Sequence, residues 1–162
     1  MSSRVQLALN VNDIGEAVAF YSRLFGSEPA KRRPGYANFA ITEPPLKLVL
    51  LENPGQGGTL NHLGIEVSEI ETVDAEQARL AAAGLASVDE RDTTCCYARQ
   101  DKFWVQGPSD GERWEIYTVL ADSQTFYGED HEGTECCGGG QASGDQAASL
   151  TASADDPAAT CC

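Results

Sequence analysis

Basic residues are scarce in this chain of 162 residues, since 11 Lys and Arg stand against 25 Asp and Glu for a net charge of −14. Binding to nucleic acid or to an anionic membrane depends on clustered Lys and Arg, so we expect neither partner. The one basic cluster, Lys31-Arg32-Arg33, is short and is interpreted as a solvated strand end. No apolar run approaches the roughly 20 residues of a membrane-spanning helix, and no signal peptide precedes the first predicted strand. We therefore expect a cytoplasmic protein, whose thiols stay reduced.

Lys and Arg are absent altogether from residue 122 onward. Gly, Ser, Ala and Thr fill most of this stretch, which offers too little apolar surface to offset the entropy cost of ordering. We predict one folded domain over residues 1–121 and a mostly disordered acidic tail over residues 122–162. The acidic residues of the tail are Asp122, Glu129, Asp130, Glu132, Glu135, Asp145, Asp155 and Asp156.

The domain repeats one order of elements twice, over about residues 3–53 and 58–121. Each half reads as a βαβββ unit that cannot bury its open sheet face alone, so we expect the two to pack together in an α+β fold. The predicted strands cover residues 4–11, 36–41, 46–51, 59–67, 85–88, 95–99, 102–105 and 113–120. The first helix is capped by Asn12 or Asp13 and ends at Gly26, and the second runs from Glu71 to Ala83 with Ser68 and Glu71 as its capping box.

Aligning the two halves brings four positions together. A shift of 56 residues places Gln6 on His62, and aligning PLKLVLLE with ERWEIYTV places Leu48 opposite Glu115. One imidazole, one carboxylate and one amide oxygen resemble the facial triad that leaves open positions on non-haem Fe(II), although Mn(II), Ni(II) and Zn(II) suit the same ligands. The alternatives are that His62 is an ordinary satisfied polar group and that Glu115 points to solvent.

These residues resemble the vicinal oxygen chelate superfamily, which includes glyoxalase I, extradiol dioxygenases and bleomycin-resistance proteins. Within it the chain is most similar to the organoarsenical C–As lyases and the related cadmium-induced proteins. The resemblance implies that Gln6, His62 and Glu115 bind Fe(II) in a cavity shared by the two modules, and that Cys95 and Cys96 hold the trivalent arsenic of the substrate. The segments that carry it are RVQLALNV, FYSRLFG, KRRPGYANFAI, PPLKLVLLENPG, TLNHLGIEV, TTCCYARQDKFWV and GERWEIYTVLAD.

The six cysteines all occur as adjacent pairs: Cys95 with Cys96, Cys136 with Cys137, and Cys161 with Cys162. A monosubstituted trivalent arsenical has two exchangeable positions, which two thiolates fill, and soft arsenic prefers sulfur. Because neighbouring side chains in a strand point to opposite faces, we expect Cys95 and Cys96 to lie on a loop or bulge. The alternatives are a buried Cys95 with Cys96 incidental, or a strained vicinal disulfide.

The resulting expectation is an Fe(II)-dependent dioxygenase that cleaves the carbon–arsenic bond of trivalent organoarsenicals and releases arsenite, acting as a monomer or homodimer. The residues leave open whether the organic group is methyl or aromatic. Two other functions compete with it, namely thiol-based sequestration of cadmium or arsenite without turnover, and a glyoxalase-like metalloenzyme. The tail pairs, Cys136-Cys137 and Cys161-Cys162, are candidates for capture of a metal or arsenic.

Overall fold

Two helices and one curled eight-stranded sheet make up the part of the chain that a computed structural model describes, residues 3–127. The calls on the tail beyond residue 127 lie outside the described residues. In chain order the elements are β1 (Arg4–Val11), α1 (Ile14–Phe25), β2 (Lys31–Arg33), β3 (Tyr36–Ile41), β4 (Leu46–Glu52), β5 (Leu60–Glu66), α2 (Ile70–Ala82), β6 (Val88–Cys95), β7 (Ala98–Gln106) and β8 (Arg113–Asp122).

The sheet confirms the repeat of two βαβββ units. Its strand order is β2-β3-β4-β1-β5-β8-β7-β6, so the first unit forms one half and the second unit the other. The first strands of the two units, β1 and β5, pair antiparallel at the centre, and each pairs in parallel with the last strand of its own unit, β4 or β8. The central strands of both units therefore meet in the middle of one continuous sheet.

The helices cover one face of this sheet. Helix α1 begins after Asp13, whose carboxylate accepts a hydrogen bond from the backbone N–H of Glu16, and ends at Gly26 in the left-handed conformation. Its buried Val18 packs with Phe39, Leu48 and Leu50. The equivalent core under α2 comprises Val67, Val73, Phe103 and Ile116. Because side chains alternate along a strand, the residues between these core positions face the opposite side of the sheet.

Several boundaries differ from those predicted. Helix α2 starts at Ile70, and no side chain caps it, so the predicted capping box of Ser68 and Glu71 is wrong. The predicted strands over residues 85–88 and 95–99 are replaced by one strand, β6, whose polar sequence VDERDTTC has little of the hydrophobic alternation that marks strands. The cluster Lys31-Arg32-Arg33 is itself the edge strand β2.

The C-terminal end of the domain reaches past the predicted boundary at residue 121. Strand β8 ends at Asp122, the N–H of Ser123 donates to the carbonyl of Tyr97, and Tyr127 forms an isolated bridge with Cys95. Phe126 also packs against this end of the hairpin between β6 and β7. Neither helix in residues 3–127 is long and apolar enough to cross a membrane.

Candidate metal centre and thiol pair

Three adjacent central strands bring together the side chains of Gln6, His62 and Glu115, all of which are buried. The Nε2 atom of His62 lies 3.2 Å from Oε1 of Glu115 and 3.1 Å from Nε2 of Gln6. The amide of Gln6 also donates to Oε1 of Glu115. The structure thus brings together the three residues that the sequence singled out, and Glu115 points into the protein rather than to solvent.

Gly64 makes this approach possible because it lies opposite Gln6 on one side and opposite Glu115 on the other. A Cβ atom at this position would lie 2.9 Å from Cγ of Glu115 and 3.2 Å from Cβ of Gln6. The first distance is shorter than non-bonded carbon atoms tolerate. A residue without a side chain is therefore required between the two.

We expect Gly64→Ala to displace Glu115 and Gln6 and to weaken divalent metal binding by about tenfold to a hundredfold, the cost typical of a misplaced ligand. Metal titration followed by calorimetry measures this loss. The matched control is Gly15→Ala on helix α1, outside the cavity, where we expect wild-type affinity. Equal metal affinity in Gly64→Ala and wild type would contradict the assignment of the centre.

His62 is oriented by a chain of amides. Its Nδ1 lies 2.7 Å from Oδ1 of Asn61, whose Nδ2 donates to Oδ1 of Asn10 at 3.0 Å. An amide oxygen only accepts, so Nδ1 carries the proton and Nε2, which faces Gln6 and Glu115, keeps its lone pair in the neutral ring. The ring also meets Trp104 edge-on, with centroids 5.2 Å apart. Such support is what a metal-binding imidazole needs.

Glu115 is kept ionised by nearby cationic groups. Burial alone would raise the pKa of its carboxyl, but the interactions with Lys102 and His62 outweigh burial and lower the pKa to about 2. Nζ of the buried Lys102 lies 3.4 Å from Oε2 of Glu115 and 3.4 Å from Oε2 of Glu90. Sequence reasoning missed Lys102, because a lysine in a strand is ordinarily exposed.

This lowered pKa predicts that acid destabilises the metal-free protein. The ordinary pKa of a glutamate is 4.5, so the stabilising contribution of Glu115 is complete above that pH and is lost as the pH falls from 4.5 towards about 2. Urea unfolding at several pH values should show this slope, and Glu115→Gln should flatten it. Glu76→Gln, which removes an exposed helix-surface carboxylate, is the control. An unchanged slope in Glu115→Gln would rule out this source of pH dependence.

Gln6 is held by Tyr117, whose hydroxyl donates to the amide oxygen of Gln6. The same hydroxyl lies 2.8 Å from Oε2 of Glu66, a second possible acceptor, and accepts from Nζ of Lys47 at 2.9 Å. A half-turn of the Gln6 amide would leave Tyr117 accepting from Gln6 and donating to Glu66. The amide oxygen can therefore be offered to an ion without leaving a buried group unpaired. Tyr117 is two residues beyond Glu115 on the same strand face, a spacing that could have signalled it.

These donors fit a divalent metal of the borderline or hard kind, with one imidazole nitrogen, one carboxylate and one amide oxygen. Within residues 3–127, no group of three or more His, Cys, Asp and Glu side chains could hold a metal. The site therefore depends on the amide of Gln6.

The fourth position is Val49, and the prediction of Leu48 is wrong. Strand β1 pairs Ala8 with Val49 as β5 pairs Gly64 with Glu115, which makes Val49 the equivalent of Glu115. Leu48 faces helix α1 instead, because a shift of one residue moves a side chain to the other face. Val49 lines the cavity and is apolar, so this position still adds no ligand.

The thiol pair lies at the hairpin between β6 and β7. Cys95 ends β6, and Cys96 and Tyr97 form a two-residue turn with φ values of 55° and 61°. The two sulfur atoms are 3.3 Å apart, closer than alternation along a strand would allow and too far apart for a disulfide between them. The expectation that both sulfurs turn to one side is confirmed.

Cys96 and the three candidate metal ligands line one cavity of about 220 Å³. The aromatic ring of Tyr36 forms part of its wall, next to Cys96 and Val49. Lys31, Lys47 and Arg4 also line it, although each is paired with a carboxylate. The cavity therefore offers soft and hard ligands to a single occupant. The tail cysteines Cys136, Cys137, Cys161 and Cys162 lie outside the described residues.

Known proteins share both the fold and most of the sequence. Residues 4–116 match the Glyoxalase/Bleomycin resistance protein/Dioxygenase superfamily. The cadmium-induced protein CadI of Mycobacterium tuberculosis is 65% identical over 144 residues, covering 85% of this chain and 94% of that protein. A trivalent organoarsenical cleaving enzyme of Thermomonospora curvata is 56% identical over 136 residues, covering 83% and 88%. A Mn(II)-bound glyoxalase from Novosphingobium aromaticivorans has the same fold, with a TM-score of 0.52, 22% identity, and coverage of 75% of this chain and 42% of that one.

Proposed function

Because this chain belongs to the glyoxalase/bleomycin resistance protein/dioxygenase superfamily, we propose that it cleaves the carbon–arsenic bond of trivalent organoarsenicals with non-haem Fe(II) and dioxygen, releasing arsenite. The observation that supports this most directly is the shared cavity, which Cys96 lines together with Gln6, His62 and Glu115. The similarity to an enzyme named for organoarsenical cleavage supports the choice of substrate.

Cys95 and Cys96 dock the substrate in this proposal. A hydrated arsenical, R–As(OH)₂, exchanges its two hydroxyl groups for two sulfurs and releases two waters, which leaves the carbon–arsenic bond as the one bond not made to the protein. Sulfur atoms 3.3 Å apart are close enough to bind one arsenic atom. The organic group then lies in the cavity on the side of His62 and Glu115.

Gln6, His62 and Glu115 would hold Fe(II), which supplies the activation of dioxygen when bound. Asn61 and Tyr117 keep the imidazole and amide in position, and Lys102 keeps Glu115 ionised. The contribution of the protein is to place the arsenic close to the metal and to exclude bulk water from the buried ligands. Since thiols must be reduced to bind arsenic, we place the reaction in the cytoplasm.

Sequestration of cadmium or arsenite is the second candidate function. The relative with 65% identity is named for induction by cadmium, and a thiol pair binds either element without any reaction. A glyoxalase-like reaction is less well supported, because Val49 stands where that reaction would have a fourth metal ligand.

The deciding experiment starts with metal-free protein loaded anaerobically with Fe(II), followed by a trivalent methyl- or phenylarsenical and then air. Dioxygen uptake and arsenite release, both dependent on iron, are the expected result. Parallel samples loaded with Zn(II) or Mn(II) serve as controls for the identity of the metal. Tight arsenical binding with no arsenite in any sample would replace cleavage with sequestration.

A further inference from the structure

The turn that carries Cys96 has an unfavourable backbone conformation. Two-residue hairpin turns with positive φ at both positions favour Asn and Gly, yet here the residues are Cys96 and Tyr97. Non-glycine residues in this region are strained and persist where surrounding contacts hold them. The conformation is also what brings the sulfur of Cys96 to 3.3 Å from that of Cys95. The contacts that hold the turn therefore control the geometry of the thiol pair.

Lys31 supplies one of these contacts from the opposite edge of the sheet. Strand β2 lies at one edge and β6 at the other, but Nζ of Lys31 donates to the carbonyl oxygen of Tyr97 at 2.9 Å. The same ammonium lies 2.6 Å from Oδ1 of Asp122, at the end of β8. One side chain therefore joins the edge of the first unit to the turn and to the last strand of the second.

Two neighbouring contacts act on the same residue. The N–H of Ser123 donates to the carbonyl oxygen of Tyr97 at 2.9 Å, and the guanidinium of Arg33 lies 5.8 Å from the centre of the Tyr97 ring. Arg32, between the two basic residues on the alternate face, is exposed. The alternation of β2 thus directs Lys31 and Arg33 to the turn and Arg32 to solvent.

We propose that Lys31 is a positioning residue for the thiol pair, which holds the Cys96–Tyr97 turn in the conformation that lets both sulfurs bind one arsenic atom. This inference rests on the docking step of the proposed function, and it applies whether the bound arsenical is cleaved or retained. It gives a role to a basic cluster that the sequence alone presented as a solvated strand end.

The test measures binding of phenylarsine oxide by calorimetry, with reduced, metal-free, full-length protein under anaerobic conditions. Lys31→Met removes the ammonium but keeps the apolar stem, and we expect it to bind the arsenical about tenfold to a hundredfold more weakly, the range for loss of a charged hydrogen bond. Lys31→Arg should recover most of the affinity, and Arg32→Met should bind like wild type. Fe(II) affinity, measured separately, should be the same in all four proteins.

A second variant separates positioning from general stability. Glycine adopts a φ of 61° without strain, so in a Tyr97→Gly background Lys31→Met should reduce arsenical affinity much less than in the wild-type background. Equal losses in the two backgrounds would overturn the inference, as would a Lys31→Met protein that binds within twofold of wild type. Thermal unfolding of each variant identifies a folding defect, which the double variant should then relieve. Absence of arsenical binding by wild type would instead refute the docking step itself.

Discussion

Cys96→Ser is expected to bind a trivalent organoarsenical at least about a hundredfold more weakly than wild type, because the second sulfur closes a ring at high effective concentration. Arsenite release should fall by the same factor at low substrate. Fe(II) binding should not change, since Gln6, His62 and Glu115 are untouched. Calorimetry with phenylarsine oxide, together with a separate metal titration, measures both quantities on one preparation.

The control for this variant is Tyr97→Phe, which alters the same turn but keeps both thiols, and which we expect to bind the arsenical like wild type. Cys95→Ser should match Cys96→Ser if the two sulfurs act together. Because Cys95 is completely buried, its unfolding midpoint needs to be measured alongside. Normal turnover by Cys96→Ser would eliminate the docking model.

His62→Ala should show the opposite separation, with arsenical binding intact and metal binding lost. Loss of a group that only orients a ligand costs about tenfold to a hundredfold in metal affinity, and loss of the imidazole itself should cost more. Arsenite release should then fall below detection at metal concentrations that saturate wild type. A metal titration and an arsenical titration distinguish this variant from one that has simply lost its fold.

Asn61→Ala is the graded companion of His62→Ala. It removes the acceptor 2.7 Å from Nδ1 of His62 but leaves the ligand in place, so we expect a loss of metal affinity within the tenfold to hundredfold range. If both variants bound metal as tightly as wild type, the centre would have to be sought among other residues.

The candidate centre was predictable because two halves of the chain repeat. The shift of 56 residues relates Gln6 to His62 through similar strands, and β1 and β5 do pair at the centre of the sheet. The alignment of β4 with β8 had only general apolar character to guide it and was off by one residue, which exchanged Val49 for Leu48. With a period of two, an error of one position reverses the face of a strand.

The hairpin and its supports were less accessible from sequence. Polar β6 lies at the sheet edge, where burial imposes little alternation, and Cys-Tyr is not a turn signal. Lys31 contacts a residue 66 positions away, and Lys102 is buried beside Glu115 only because both strands belong to one sheet. Such long-range contacts depend on the curvature of the sheet, which no local pattern encodes.

The central pairing of β1 with β5 has a consequence for how the protein works at different concentrations. Both halves of the repeat lie in one polypeptide, and Gln6, His62, Glu115 and the thiol pair all come from that same chain. A second copy is not needed to complete the cavity, so each chain is a full reaction unit. Turnover per molecule should therefore be the same in a dilute solution and in a concentrated one, whatever assemblies the protein forms.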